Sequence, residues 1–185
     1  MWIILTFLVV CILITALRFQ IFVFKNQKIS RFKDQKNYFD VRDCLNGQML
    51  AEGIIYGITG KLESTFVANF EGSWAGDQGV LTEHFHFSSG KEQVRNWSLT
   101  VLKDGTIEGT APDIIGKASG QQLGSAVRLK YRLKLSQELG GHAIDVIDWM
   151  HLMENGTIMN RSEFRKFGIK VGELVATFRK INEDA

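Results

Sequence analysis

The sequence predicts an all-β fold, a closed antiparallel barrel of about ten strands, carried behind an N-terminal transmembrane helix. Three observations predict it. From Tyr38 onward, short stretches alternate apolar and polar residues between glycine-bearing turns. One proline, Pro112, stands against 18 glycines, which suits a sheet whose corners are made by glycine. The first 24 residues are almost wholly apolar.

That N-terminal stretch, MWIILTFLVVCILITALRFQIFVF, is interrupted only by Thr6, Thr15, Arg18 and Gln20. A spanning helix needs ~20 apolar residues, and an arginine near one end reaches the interface along its aliphatic stem. A cleaved signal peptide needs a positive n-region and a small-residue cleavage site, and neither is present. A lipoprotein signal needs a small residue before its cysteine, where LVVC places Val10. Residues 1–24 therefore read as an uncleaved transmembrane anchor. Residues 25–37 follow as a basic juxtamembrane linker, with Lys25, Lys28, Arg31, Lys33 and Lys36 against Asp34. By the positive-inside rule this side stays in the cytoplasm, and the basic stretch can also press the domain against anionic lipid.

Residues 38–181 form the barrel domain, and residues 182–185 a tail. Strands are expected at residues 47–58, 62–71, 80–88, 93–102, 126–136, 143–153, 157–162 and 169–180, with shorter ones in TIEGTA and KASGQQ. Lys103-Asp104-Gly105 and Glu154-Asn155-Gly156 are hairpin turn signals. So many sequential strands must hide their edges, and closure into a barrel does so. In AVRLKYRLKL, Val127, Leu129, Tyr131 and Leu133 share one face, and Arg128, Lys130, Arg132 and Lys134 share the solvated other. IDVIDWMHLM is largely apolar on both faces, so this strand lies under another element or borders a cavity.

Composition excludes several functions. With 22 basic and 20 acidic residues, the net charge of +2 gives no field for nucleic acid. Cys11 and Cys44 cannot form a disulfide framework. His84 and His86 share a strand face, but Glu83 points the other way, so a surface pair is expected rather than a metal site. Asp113 reads as a turn-former after Pro112. Gly116, Gly120 and Gly124 precede no helix and make no phosphate loop. Cys44 has no base beside it, and no nucleophile elbow is present. No cofactor is implied.

The candidate site lies in DWMHLMENGTIMNRS, residues 148–162. With Asn155-Gly156 as the centre of a two-residue type I′ turn, His151 pairs with Asn160 and Met150 with Arg161, and Arg161 lies diagonal to Asp148. These residues either tie the barrel wall together or bind the polar head of an apolar ligand. Arg161, Asp148, His151, Asn160 and Trp149 are the candidate ligand-binding residues. Trp149, like Trp74 and Trp97, is also simply read as core filler.

PDIIGKASGQQLGSA at residues 112–126 and DWMHLMENGTIMNRSEFRKFGIKVGE at 148–173 mark a resemblance. From about Phe39 to Lys180, the chain resembles the bacterial family catalogued as domain of unknown function 3833. The resemblance implies a lipocalin-like barrel, often in small envelope lipoproteins, and hence a periplasmic location as the alternative. It implies no catalytic residues. The expectation is a membrane-anchored lipocalin-like barrel that binds a small apolar or lipid-like ligand, with membrane lipid as its other partner and no nucleic acid. An isomerase or hydrolase acting on a lipid-like substrate, and a ligand-free scaffold, are the alternatives. Convergent polar groups with strongly shifted acidities would favour the enzyme.

Overall fold

The computed structural model describes residues 2–21 and 24–181, with the side chains of residues 16–21 and 25 excepted. Ten strands close a barrel in the order β1-β10-β9-β8-β7-β6-β5-β4-β3-β2, each antiparallel to its neighbours. They are β1 (Gly47–Gly57), β2 (Leu62–Ala75), β3 (Gln78–Phe87), β4 (Glu92–Val101) and β5 (Thr106–Thr110), then β6 (Ala118–Leu123), β7 (Ala126–Lys134), β8 (Ala143–Leu152), β9 (Ile158–Lys166) and β10 (Ile169–Lys180). Every strand therefore has two partners, and no edge is left open. The expected meander is correct. Two strands run longer than expected: β2 reaches Ala75, and β9 reaches Lys166.

The alternation sorts side chains to the two faces of the wall. Met49, Ala51, Phe66, Ala68, Phe70, Leu81, Leu99, Val127, Leu133 and Val146 point inward and form one continuous core. On β7, Lys130, Arg132 and Lys134 are exposed, as the alternation predicts. Helix α2 (Val41–Cys44) plugs one end of the barrel, with Val41 and Leu45 buried in that core. Asp40 caps it by accepting the Arg42 backbone N–H at 2.9 Å, and the Trp74 indole donates to the Leu45 carbonyl at 3.2 Å.

The stretch read as a juxtamembrane linker is packed against the barrel. Between Phe24 and Phe39 the chain runs as a strap over the outer wall, with a short 3₁₀ turn at Ile29–Phe32. Ile29, Ala126, Ile147 and Trp149 form a second apolar cluster outside the barrel, with Phe24, Phe32 and Leu123 against it. Gly124 makes room for the strap. A Cβ there would sit 1.7 Å from the Phe32 carbonyl oxygen, and its φ of +56° is left-handed. Strand β8 thus lies under another element on one face.

Helix α1 (Trp2–Ile21) has exposed side chains throughout residues 2–15. Among the described residues no helix is long and apolar enough to cross a membrane. The expected anchor, residues 1–24, includes residues 1, 22 and 23, which lie outside the described residues, as does the tail 182–185.

The β8–β9 register differs from the expected one. Leu152 pairs with Ile158, His151 with Met159, Met150 with Asn160, Trp149 with Arg161 and Asp148 with Ser162. The expected pairs His151–Asn160 and Met150–Arg161 do not form. A type I′ turn needs positive φ at both central residues, but among the described residues only Phe167 is a non-glycine with positive φ. The turn closes as a longer loop instead. Met153 N–H donates to the Thr157 carbonyl at 2.8 Å, Gly156 N–H donates to the Met153 carbonyl at 3.0 Å, and Gly156 alone is left-handed at φ +82°. Asn155 stays right-handed because its Oδ1 accepts the Thr157 N–H at 3.0 Å. One extra loop residue moves the partner strand by one position, which turns every β9 side chain to the opposite face from the one expected.

Candidate functional site

The barrel encloses a cavity of ≈ 90 Å³. At the ~10–15 Å³ a single water needs, it has room for roughly six to nine waters or one small molecule. Phe66, Phe70, Phe85 and Phe178 form one side, with ring centroids 5.1–5.5 Å apart in tilted and edge-on pairs. Glu83, Arg95, Tyr131, Asp148, Asn160 and Ser162 form the other.

Each polar residue is in phase with the core. Glu83 lies between Leu81 and Phe85 on β3, Arg95 precedes Trp97 and Leu99 on β4, and Tyr131 lies between Leu129 and Leu133 on β7. Asp148 lies between Val146 and Met150 on β8. Cross-strand registry then brings Glu83 opposite Arg95 and Asp148 opposite Ser162.

The bonding within this group is uneven. Arg95 is committed to Asp113, with Nε at 2.9 Å and Nη2 at 2.8 Å from Oδ2. Its Nη1 stands 3.8 Å from Glu83 Oε2, too far for a hydrogen bond. Glu83 Oε2 and Asp113 Oδ1 are buried without a hydrogen-bond partner. Asp148 Oδ1 accepts from Ser162 Oγ at 2.7 Å and from the Asn160 amide, whose Nδ2 also donates to the Trp149 carbonyl at 3.1 Å.

Burial pushes the Glu83 carboxyl up to about 7; Arg95 opposes the rise, and the charge of Asp148 adds to it. Burial also raises Asp148, against the lowering bonds from Ser162 and Asn160 and the charge of Arg95. Tyr131 is raised well above the usual phenol range, by burial first and then by Asp148. Two carboxyl groups in one aromatic-walled space are therefore suited to accept hydrogen bonds from a ligand, and Glu83 to exchange a proton near neutrality.

Of the expected site residues, the structure brings Asp148 and Asn160 together in this cavity. It does not bring Trp149, His151 or Arg161 there. Trp149 is fully buried on the outer face of the wall, stacked on His151 and under Phe32, with ring centroids 5.7 Å apart in each pair. His151 lies against Phe32 at 4.8 Å, and partial burial lowers its pKa. Arg161 is outside and half exposed, pairs with Glu173 Oε2 at 2.8 Å, and stacks over the Phe24 ring at 4.8 Å. The register explains this: Arg161 lies opposite Trp149, an outward-facing position.

Sequence reasoning missed Glu83, Arg95, Tyr131 and Ser162, and read Asp113 as a turn-former only. The missed signal is phase. A charged residue at an alternation position otherwise held by Leu, Phe and Trp is a buried charge in waiting. His84 and His86 are exposed, and His86 Nδ1 lies 3.2 Å from Glu92. Among the described residues no group of three or more His, Cys, Asp or Glu could hold a metal ion.

Comparison with known proteins supports the fold. Rv2717c from M. tuberculosis superposes with a TM-score of 0.56 at 14% identity, over 76% of this chain and 94% of that one. A DUF3598-family protein of unknown function from Nostoc punctiforme superposes with a TM-score of 0.55 at 10% identity, over 80% of this chain and 51% of that one. This chain thus spans about half of the Nostoc protein. At these identities the likeness is one of fold. No curated protein matches the sequence. The model of the family described as protein of unknown function (DUF3833) matches residues 19–180, and with so much of its length aligned the chain belongs to that family.

Proposed function

We propose that this protein is a membrane-attached barrel that binds a small, largely apolar molecule in its interior. The cavity carries the reading: an aromatic wall meets a few convergent polar groups whose bonding is incomplete. A buried acceptor left unsatisfied costs ~1–3 kcal/mol. A ligand-free scaffold would gain by replacing Glu83 with an apolar residue, so the retained acceptor argues for an occupant.

Two features support membrane attachment. Helix α1 presents Trp2, Ile3, Phe7 and Leu13 to solvent with no polar face to cover them. At the end of the barrel away from α2, the adjacent β1–β2 and β9–β10 turns expose Ile58, Leu62, Phe167 and Ile169 beside Lys61 and Lys166. Phe167 is 91% exposed, a placement for an aromatic ring that apolar surroundings would receive. The basic residues of the strap favour a cytoplasmic domain, and the family resemblance is the ground for a periplasmic one.

Native mass spectrometry of detergent-extracted full-length protein tests the binding half: a bound small molecule is expected. Apoprotein alone, from extract and after incubation with a panel of apolar small molecules, would refute it. Fractionation tests the attachment: the full chain should sediment with membranes, and a chain lacking residues 1–24 should be released by salt. A full chain found in the soluble fraction would refute the anchor. A reporter after Ala185 decides the side.

A second reading follows from the raised acidity range of Glu83, which suits general acid–base work on the bound molecule. Cys44 adds nothing to it: it sits on α2 outside this cavity, and burial raises its thiol. Chemical change of the co-purified molecule, lost in Glu83→Gln, would establish an enzyme.

A further inference from the structure

The cavity's polar groups specify what kind of head an occupant carries. Glu83, Asp148 and the neighbouring Asp113 are acceptors set against the guanidinium of Arg95, which is already bonded to Asp113 through two nitrogens. Asn160 and Ser162 direct their donors to Asp148 Oδ1, so they offer little to a ligand acceptor. Glu83 is 9% exposed, and its unpartnered Oε2 belongs to a residue that lines the space. The set holds three carboxyl groups against one guanidinium, and its remaining donors are the Tyr131 hydroxyl and Arg95 Nη1. An anionic head would meet Glu83 and Asp148 with like charge, and the one guanidinium there, Arg95, already holds Asp113.

The remaining wall favours the same choice. Phe66, Phe70 and Phe85 present ring faces and edges within one cluster, with Trp97 beside Tyr131 at 5.4 Å. Aromatic faces carry negative potential and attract cations, most strongly where water is excluded. Carboxylates and aromatic rings in one small space are the chemistry that receives an organic ammonium group.

We infer that the occupant of the barrel is a small organic cation, an ammonium head on a short apolar body, with the head between Glu83 and Asp148 and the body against Phe66, Phe70 and Phe85. The inference rests on the ligand-binding reading above and narrows it. Ammonium binding charges Glu83 and Asp148, which burial otherwise biases toward the neutral form. The groups facing Glu83 are Arg95, Trp97, Asp113, Tyr131 and Asp148; Arg95 and the Trp97 hydrogen bond favour its charged form, and the charges of Asp148 and Asp113 oppose it. Affinity for the cation should therefore weaken as the pH falls through about 7.

Isothermal titration of the full chain in nanodiscs, with empty-nanodisc titrations subtracted, tests this with three probes of one shape: hexylammonium, 1-hexanol and hexanoate. At pH 8, hexylammonium should bind about tenfold tighter than 1-hexanol, with hexanoate weakest. Hexylammonium should weaken at pH 5.5 while 1-hexanol does not. The double variant Glu83→Gln, Asp148→Asn should bring hexylammonium down to the level of 1-hexanol. Retained binding of 1-hexanol shows that the variant's barrel is intact; if this variant fails to fold, Glu83→Gln alone should lower hexylammonium selectivity. Hexanoate binding as tightly as hexylammonium, or equal binding of hexylammonium and 1-hexanol, overturns the cationic head and leaves the ligand-binding reading standing. Failure of all three probes overturns both.

Discussion

Replacing Glu83 by glutamine should make the protein more stable at alkaline pH and leave it nearly unchanged in acid. In the unfolded chain this carboxyl titrates at its ordinary value of 4.5, and in the folded barrel at about 7. Between these values the native state holds a proton that the unfolded state has lost, so stability falls as pH rises across that window. Glu83 by itself takes nothing from the wild type below 4.5, and its loss is complete once the pH has passed about 7. At ~1.36 kcal/mol per pH unit, the loss is about 3 kcal/mol. Glutamine has the shape of the protonated acid and no charge to desolvate, so the variant escapes that loss.

The assay is urea unfolding of full-length wild type and Glu83→Gln in the same detergent, at pH values from 4 to 8. The quantity to read is the difference between the two proteins, because other titrating groups are common to both. Asp148, whose pKa burial also raises, adds a slope of the same sign to each curve, and its coupling to Glu83 stays in the difference as part of the Glu83 shift. The difference should be within about 1 kcal/mol in acid, where only a hydrogen-bonding change remains. It should grow to about 3 kcal/mol in favour of the variant at pH 8. A difference that stays flat across the whole range would show that Glu83 titrates normally, and hence that the barrel interior is wet. A difference that grows in favour of the wild type would mean that the charged form is held by Arg95 more strongly than burial opposes it.

Three further outcomes test the wall and its covering. Gly156→Val should cost about 1–2 kcal/mol in urea unfolding, since φ is +82° there and nothing lies within 4 Å of the added Cβ; Gly156→Asn should recover most of it, and an unchanged valine variant would refute the turn geometry. Arg161→Met should cost less than about 1 kcal/mol and leave occupancy of the barrel unchanged, because Arg161 is half exposed and Glu173 keeps its pair with Lys170; loss of co-purified ligand would return Arg161 to the site. Phe32→Ala should loosen the strap from Trp149 and His151, cost on the order of 2 kcal/mol, and speed proteolysis between residues 25 and 38. Unchanged proteolysis would show that the strap is held by other contacts.

The barrel was legible because its signal is repeated. Period-two alternation recurs in strand after strand, and the one-sided pattern of Val127, Leu129, Leu133 against Lys130, Arg132, Lys134 matches the observed burial. The packed strap was not legible, because Ile29 and Phe32 are isolated apolar residues in a basic stretch, and only the apolar outer face of β8 gives them a purpose. That face was visible in the sequence as Ile147 and Trp149, but its cover could have come from anywhere. Ser162 and Asn160 were half legible. Their polarity in an apolar strand was plain, while their partners depended on a register that the sequence states ambiguously.

The ambiguity has a physical origin in four residues. Glu154-Asn155-Gly156-Thr157 is compatible with a two-residue turn, which needs Asn155 left-handed, and with a longer loop in which Gly156 alone is left-handed. The choice turns on the Asn155 side chain, whose bond to the Thr157 N–H holds the right-handed form. Asp104 makes the same bond to Thr106 before Gly105, at φ +80°, with Gly105 N–H returning to the Leu102 carbonyl. The pairs Gly57–Lys61 and Phe87–Lys91 close in the same way around Gly60 and Gly90. A side-chain acceptor two residues before a Thr, with glycine between them, therefore reads in this chain as the longer loop. Applied to residues 153–157, that rule turns Asn160 and Ser162 inward toward Asp148 and Arg161 outward toward Glu173. The candidate binding group moves with it, from the Arg161 guanidinium to the Asp148 carboxyl with its partners Asn160 and Ser162.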